Sequence, residues 1–174
     1  AKALGDAGVR RSVEAKFAGQ GIGRDRLDLM GWVVAGSHLE VYHRAQVALD
    51  TFPYNGTTTT CEALWMGVPV ISLAGDRHAG RVGVSLLSRL GLSELIADTP
   101  EDYVARAVRL AADLDRLAAL RAGLRARMRA SSLCDAAAFT ADLERSYREM
   151  WVKWCAGDRH ESQPPPISRN QRQP

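Results

Sequence analysis

The chain has 174 residues, of which 46% are apolar and 25% charged, and it carries a formal net charge of +3. This length suits one domain with a real hydrophobic core, and no segment is long and apolar enough for a signal peptide or a membrane span. Nucleic-acid binding is not indicated, because the arginines are interleaved with acids over most of the sequence. The 3 cysteines are far apart and lack zinc-site spacing, which fits a reducing cytosol.

Helix and strand patterns alternate near the start of the chain. Apolar residues at every fourth position predict an amphipathic helix from Asp6 to about Gly19. Alternation over 27–31 predicts a short strand, and Ser37 is a suitable N-cap for a second helix that runs through Tyr42.

Two further strands flank a third helix. Short apolar runs predict strands at 47–49 and 68–73, and the helix between them ends at Gly67. Strands that alternate with helices are typical of a parallel sheet with helices on both faces. The sequence therefore predicts an α/β, Rossmann-like fold.

The second half of the chain is predominantly helical by pattern. We expect a helix over about 80–90 with Gly91 as its left-handed cap, and a new helix start at 99–102, where proline and acids favour the first turn. A last amphipathic helix is predicted from about 135 to 154. The polar, proline-containing tail 157–174 has nothing to bury and is predicted to be disordered, which leaves 1–156 as the folded domain.

The most informative segment joins the strand at 47–49 to the helix that follows it. Gly56 and 4 consecutive threonines, Thr57–Thr60, fall at the predicted helix N-terminus. Free backbone N–H groups, the positive end of the helix dipole and threonine hydroxyls together attract a phosphate. An alternative is that Thr59 and Glu62 form a capping box, in which the helix closes its own end.

Arginines recur from Arg121 to Arg129, and two interpretations are open for them. They form either a basic patch for an acidic partner or a solvated helix face. We favour the solvated face.

Longer strings of residues resemble the O-linked N-acetylglucosamine transferases, including the bacterial and plant SPINDLY-like group. The matching strings are D-T-x-P-Y-N-G-x-T-T, L-W-x-G-x-P-V and G-D-R-x-x-x-R-V within Asp50–Val82, and E-R-x-Y-x-x-M-W over Glu144–Trp151. The resemblance covers most of the chain. It implies the C-terminal, donor-binding half of a GT-B glycosyltransferase, followed by C-terminal helices.

The resemblance also implies a set of ligand-binding residues. The diphosphate of a nucleotide-sugar would lie on Thr57, Thr58 and Thr59 and on the backbone around them, including Gly56. Glu62 would take the ribose hydroxyls, and His38 would contact the base or the phosphate side. No catalytic residue is assigned in this chain.

The expected activity is transfer of N-acetylglucosamine from UDP-N-acetylglucosamine to Ser or Thr of proteins, without a metal or other cofactor. Thr57 stands where animal enzymes carry histidine. Because the resemblance to plant SPINDLY-like members implies fucose transfer from a guanine nucleotide, GDP-fucose-dependent protein fucosylation is one alternative. An inactive interaction module, in which Thr57–Thr60 serve only as a helix cap, is another. The chain is expected to be a cytoplasmic, inactive fragment that needs preceding regions to contact its protein acceptor, with neither nucleic acid nor membrane as a partner.

Overall fold

The computed structural model describes residues 2–32 and 38–157. The chain divides into two compact units, with the boundary between Ser131 and Ser132. Within the described residues, no helix combines the length and the apolar character that crossing a membrane requires. The prediction of one domain over 1–156 stays a prediction, and most of the predicted disordered tail lies outside the described residues.

The first unit alternates helices and short strands along most of its length. Its helices and strands are α1 (Ala7–Ala18), β1 (Ala48–Leu49), α2 (Thr58–Trp65), β2 (Val70–Leu73), α3 (Val82–Arg89), β3 (Ile96–Ala97), α4 (Pro100–Ala112) and α5 (Leu114–Arg129). Short 3₁₀ helices cover Lys2–Gly5, Arg24–Arg26, His38–Arg44, His78–Gly80 and Ser93–Leu95.

The sheet is parallel and has the strand order β1-β2-β3. Ala48 pairs with Val70 in one ladder, and Leu73 pairs with Ala97 in the other. All three carboxyl ends therefore lie at the same edge, which is where open parallel sheets bind ligands. The predicted parallel α/β sheet with flanking helices is confirmed.

The core lies around β2, whose residues Val70 and Ile71 are buried. Helices α2 to α5 all contribute side chains to it. Its members include Leu64, Val68, Leu87, Leu92, Leu110, Leu117, Leu124 and Met128. Because burying a leucine side chain contributes roughly 1.5–3 kcal/mol, these residues dominate the stability of the sheet region.

Several helix ends lie where the sequence predicts them. Asp6 caps α1 by accepting a hydrogen bond from the Val9 N–H at 2.9 Å, and Thr99 caps α4 by accepting one from the Asp102 N–H at 3.2 Å. Gly91 follows α3 with a φ of +63°, the left-handed conformation that glycine adopts without strain.

Two expectations near the start of the chain had different outcomes. The strand predicted at 27–31 is wrong, since these described residues lie outside both strand ladders. The predicted cap Ser37 lies outside the described residues, and the segment after it, His38–Arg44, is a 3₁₀ helix.

The arginines of α5 combine solvent exposure with contacts to other segments. Arg125, Arg127 and Arg129 are exposed, as the solvated-face interpretation predicts, whereas Arg121 is partly buried. Arg121 donates to the carbonyl oxygens of Ala45 and Gln46 at 2.8 and 3.0 Å. Arg125 donates to the Trp65 carbonyl at 2.7 Å and lies over its ring. These contacts tie α5 to the segment before β1 and to the end of α2.

The second unit contains a short 3₁₀ helix, Ser132–Cys134, and α6 (Ala136–Cys155). Asp135 caps α6 by accepting a hydrogen bond from the Ala138 N–H at 2.9 Å, so the predicted helix is confirmed. Its apolar side chains are exposed, among them Phe139, Tyr147, Met150, Trp151 and Trp154.

Candidate functional site

The start of α2 lies at the carboxyl end of β1 and presents three threonines. Thr57 is the N-cap residue and makes no side-chain capping hydrogen bond. Thr57, Thr58 and Thr59 are all exposed. The first N–H groups of a helix have no partner within it, so this helix start offers backbone donors and hydroxyls together. An anion is the ligand that such an arrangement suits.

The alternative capping box between Thr59 and Glu62 is not formed. Helix α2 begins one residue before Thr59, which places Thr59 inside the helix. The Glu62 carboxylate turns instead to the 3₁₀ helix His38–Arg44. The helix start is therefore left open toward solvent.

Gly56 is anchored from beneath by a buried carboxylate. Its N–H donates to Asp50 Oδ1 at 2.8 Å, and Ser72 Oγ donates to Asp50 Oδ2 at 2.8 Å. Asp50 is only 7% exposed. Since buried charges need hydrogen-bond partners, Asp50 ties the turn before the threonines to β2.

Asn55 fastens the same turn to the residues around α3. Its N–H donates to the Ala79 carbonyl at 2.8 Å, its Nδ2 donates to the Thr51 carbonyl at 3.0 Å, and its Oδ1 accepts from the Gly83 N–H at 3.2 Å. The side chain is fully buried. The Asn-Gly pair is thus a structural anchor as well as a turn.

Tyr103 of α4 also contacts Asp50. Its hydroxyl donates to the Asp50 carbonyl oxygen at 2.8 Å. Burial, with a smaller contribution from the Asp50 charge, raises the pKa of Tyr103 above its usual range. The phenol therefore stays protonated and keeps donating at neutral pH.

His38 and Glu62, predicted as site residues, do lie together. His38 Nε2 is 3.3 Å from Glu62 Oε1, and Tyr42 donates to Glu62 Oε2 at 3.1 Å. Burial, the hydrogen bond to Glu62 and its charge raise the pKa of Tyr42 to about 12. A cleft of about 170 Å³ beside this group is lined by Tyr42, Asp50, Thr51, Gly56 and Thr59.

Sequence reasoning missed Asp50, Ser72 and Tyr42 as members of this site. Asp50 carried a usable signal, because a charged residue directly after an apolar strand lies at the ligand-binding edge. Ser72 and Tyr42 carried none, since a serine within a strand and a tyrosine in a helix are ordinary core residues.

Other side chains near the sheet edge have simpler roles. Arg81 donates to the Gly75 carbonyl at 2.9 Å, whereas Asp76 faces Arg77. Arg81 thus supports the loop before α3. His43 and His78 are exposed.

Within residues 2–32 and 38–157, no group of three or more His, Cys, Asp or Glu side chains is placed to hold a metal ion. Metal independence stays a prediction. The chemistry available at this edge is recognition of an anion by N–H and hydroxyl donors, with a carboxylate one helical turn away for hydroxyl groups.

Comparison with known proteins identifies the family of the chain. The glycosyl transferase family 41 profile matches residues 3–143. The chain is 46% identical over 151 residues to a probable UDP-N-acetylglucosamine–peptide N-acetylglucosaminyltransferase SPINDLY from Eustoma exaltatum, covering 86% of this chain and 16% of the relative. It is 34% identical over 138 residues to the UDP-N-acetylglucosamine–peptide N-acetylglucosaminyltransferase of Caenorhabditis elegans, covering 79% of this chain and 12% of the relative.

A solved structure extends the match to the fold. A mutant of the Thermobaculum terrenum O-GlcNAc transferase superposes with a TM-score of 0.83 at 42% identity, covering 89% of this chain and 30% of the other. This likeness confirms the predicted fold class, the C-terminal region of a GT-B glycosyltransferase. The chain spans less than a third of the length of each of these proteins. By its match to the family profile over residues 3–143 and its identity to these relatives, the chain belongs to glycosyl transferase family 41.

Proposed function

We propose that this chain forms the donor-binding region of a cytoplasmic protein O-glycosyltransferase that uses UDP-N-acetylglucosamine. The enzyme transfers N-acetylglucosamine to Ser or Thr hydroxyls of protein acceptors. Regions that the relatives possess beyond the matched segment are the source of acceptor contacts and of the catalytic base in this proposal. The reaction needs no metal ion or other cofactor.

The observation that carries the proposal is the open start of α2. Thr57, Thr58 and Thr59 are exposed there, and the residue at the N-cap leaves the helix end uncapped by its side chain. Gly56 beneath them is fixed to a buried carboxylate. A diphosphate fits this place because its charge is matched by the helix dipole and by several donors at once.

This binding mode also serves the chemistry of transfer. When the glycosidic bond to the donor breaks, the leaving diphosphate oxygen gains negative charge. Donors that are already oriented toward that oxygen stabilise the transition state more than the ground state. Thr58 and Thr59 therefore have a role in the reaction rate as well as in donor affinity.

Two features of the sequence keep GDP-fucose as an alternative donor. Thr57 replaces the histidine of animal enzymes, and the identity to a plant SPINDLY protein, 46%, exceeds the 34% identity to the nematode transferase. The resemblance to the plant SPINDLY-like group implies fucose transfer as an alternative, although this plant relative is itself named as an N-acetylglucosaminyltransferase. Donor competition separates the two sugars.

The test is calorimetric titration of the protein at its full natural length with UDP and then with GDP. We expect UDP to bind, and Thr58→Val combined with Thr59→Val to weaken binding by about 1 to 3 kcal/mol, because hydrogen bonds to a charged group are lost. Thr140→Val makes the same chemical change on the exposed surface of α6 and is expected to leave the affinity unchanged.

Each other result has a defined meaning. Preference for GDP moves the assignment to fucose transfer and keeps the site. Unchanged affinity in a folded double variant refutes the phosphate assignment. A folded wild-type protein that binds neither nucleotide favours an interaction module that keeps the fold without the activity.

A further inference from the structure

The Glu62 carboxylate is held on both of its oxygens by one neighbouring segment. Tyr42 donates to Oε2 at 3.1 Å, and His38 Nε2 lies 3.3 Å from Oε1. Both partners belong to the 3₁₀ helix His38–Arg44, whereas Glu62 belongs to α2. The side chain of Glu62 therefore has a fixed direction although it is partly open to solvent.

Of the two partners of Glu62, Tyr42 is held more rigidly than His38. Its ring packs against the buried core, while the His38 side chain is 48% exposed. Its hydroxyl also lies 3.2 Å from the Thr59 carbonyl oxygen, at the first turn of α2. Because the pKa of Tyr42 is raised to about 12, the phenol remains a donor throughout the neutral pH range.

A glutamate on a helix surface normally samples several rotamers, and fixing them costs free energy when a ligand binds. A carboxylate that is already fixed avoids that cost, so its ligand binds more tightly. Glu62 has one oxygen bound by a phenol proton and retains lone pairs for further donors. Two neighbouring hydroxyls of a sugar ring are donors of the right kind.

We propose that Tyr42 is a positioning residue for the donor nucleoside, holding the Glu62 carboxylate in the orientation in which it accepts hydrogen bonds from the ribose hydroxyls. The inference rests on the proposed function, because the ribose role of Glu62 comes from the family resemblance. Tyr42 acts through Glu62, so removing its hydroxyl matters only when both Glu62 and the ribose hydroxyls are present.

The test is a titration of the protein at its full natural length with UDP or GDP, whichever the wild type prefers, and with the dideoxy analogue that lacks both ribose hydroxyls. We expect Tyr42→Phe to weaken binding of the natural nucleotide about three- to tenfold, as for one lost hydrogen bond. Wild type and variant are expected to bind the analogue equally.

A double-mutant cycle excludes a merely structural role. In a Glu62→Ala background, Tyr42→Phe is expected to cause no further loss, because the two residues act as one unit. Tyr147→Phe on α6, where the ring is exposed, is the matched control and is expected to bind both ligands normally.

Failure of the Tyr42 inference can be distinguished from failure of the proposed function. Equal affinity of wild type and Tyr42→Phe for the natural nucleotide overturns the inference and leaves the proposed function intact. The same holds if the loss persists with the analogue or in the Glu62→Ala background. Absence of binding by the folded wild type overturns the proposed function, and the inference falls with it.

Discussion

At the scale of single residues, the site depends on a buried glycine behind the threonine turn. Gly83, in the first turn of α3, packs directly on the pair Asp50 and Ser72, and its N–H donates to Asn55 Oδ1. The three polar side chains that hold the threonine turn therefore meet at one backbone position. Any side chain there would separate α3 from the end of β1.

We predict that Gly83→Ala destabilises the protein by about 1 to 3 kcal/mol or more, the usual range for inserting atoms into a packed interior. A Cβ at this position would lie 2.7 Å from Asp50 Oδ2 and closer still to the Ser72 hydroxyl. Urea unfolding measures the change. Gly123→Ala is the matched control, because a Cβ there meets nothing within 4 Å in the middle of α5. That change should stabilise the helix by about 0.5–1 kcal/mol. Equal effects of the two substitutions would contradict the packing argument.

The sequence predicted the exposed part of the site and missed its supports. Thr57, Thr58 and Thr59 were predictable because glycine, threonines and a helix start are contiguous in the chain. Asp50 meets Ser72 at a separation of 22 residues and Tyr103 at a separation of 53. Such pairings follow from the order of the strands and the docking of α4, which no local pattern encodes.

At the scale of elements, α5 is attached to the rest of the first unit by its arginines. Arg121, Arg125 and Arg127 each donate to a main-chain carbonyl near the end of another segment, at Ala45, Trp65 and Leu90. Cations near helix C-termini satisfy carbonyls that lack partners and complement the helix dipole. The same side chains also cover apolar surface with their stems.

We predict that Arg121→Ala lowers the free energy of unfolding by about 1 to 2 kcal/mol, since two hydrogen bonds from a charged group are lost at a partly exposed site. Chemical denaturation followed by circular dichroism measures the loss. Arg11→Ala, at an exposed position of α1, is the control and should change stability by less than about 0.5 kcal/mol. A solvated-face role for Arg121 would make the two variants indistinguishable.

Elements with strong local signals were predicted well. The starts of α1, α4 and α6 lie at the predicted positions, and Asp6, Thr99 and Asp135 each accept a capping hydrogen bond there. The strand expected at 27–31 failed because alternation is only a local pattern, whereas a strand needs a partner with which to form a ladder. Strands β1 and β2 were predictable because a clear helix separates them, whereas the two-residue strand β3 was not predicted.

At the scale of the whole molecule, the stability of the fold depends on the protonation of two phenols, those of Tyr42 and Tyr103. Tyr42 bonds Glu62, and Tyr103 bonds the Asp50 carbonyl, so each contact requires a protonated phenol. Burial raises the pKa of both groups above the ordinary value of 10.0, to about 12 for Tyr42. Glu62 and Asp50 add to the shifts by repelling a phenolate.

This linkage predicts a loss of stability in alkali. Between pH 10.0 and about 12, the unfolded chain has released the Tyr42 proton while the folded chain retains it. Below the unfolded pKa both states hold this proton, and the free energy of unfolding is undiminished. Within the window the unfolded state binds fewer protons than the folded state, so the free energy of unfolding falls as the pH rises. Urea unfolding at a series of pH values from about 8 to 11 should give a smaller alkaline decline for Tyr42→Phe than for wild type. The comparison removes contributions from other titrating groups, which are common to both proteins. Parallel declines would mean that Tyr42 ionises alike in the folded and unfolded states, and its contact with Glu62 would then not be maintained in solution.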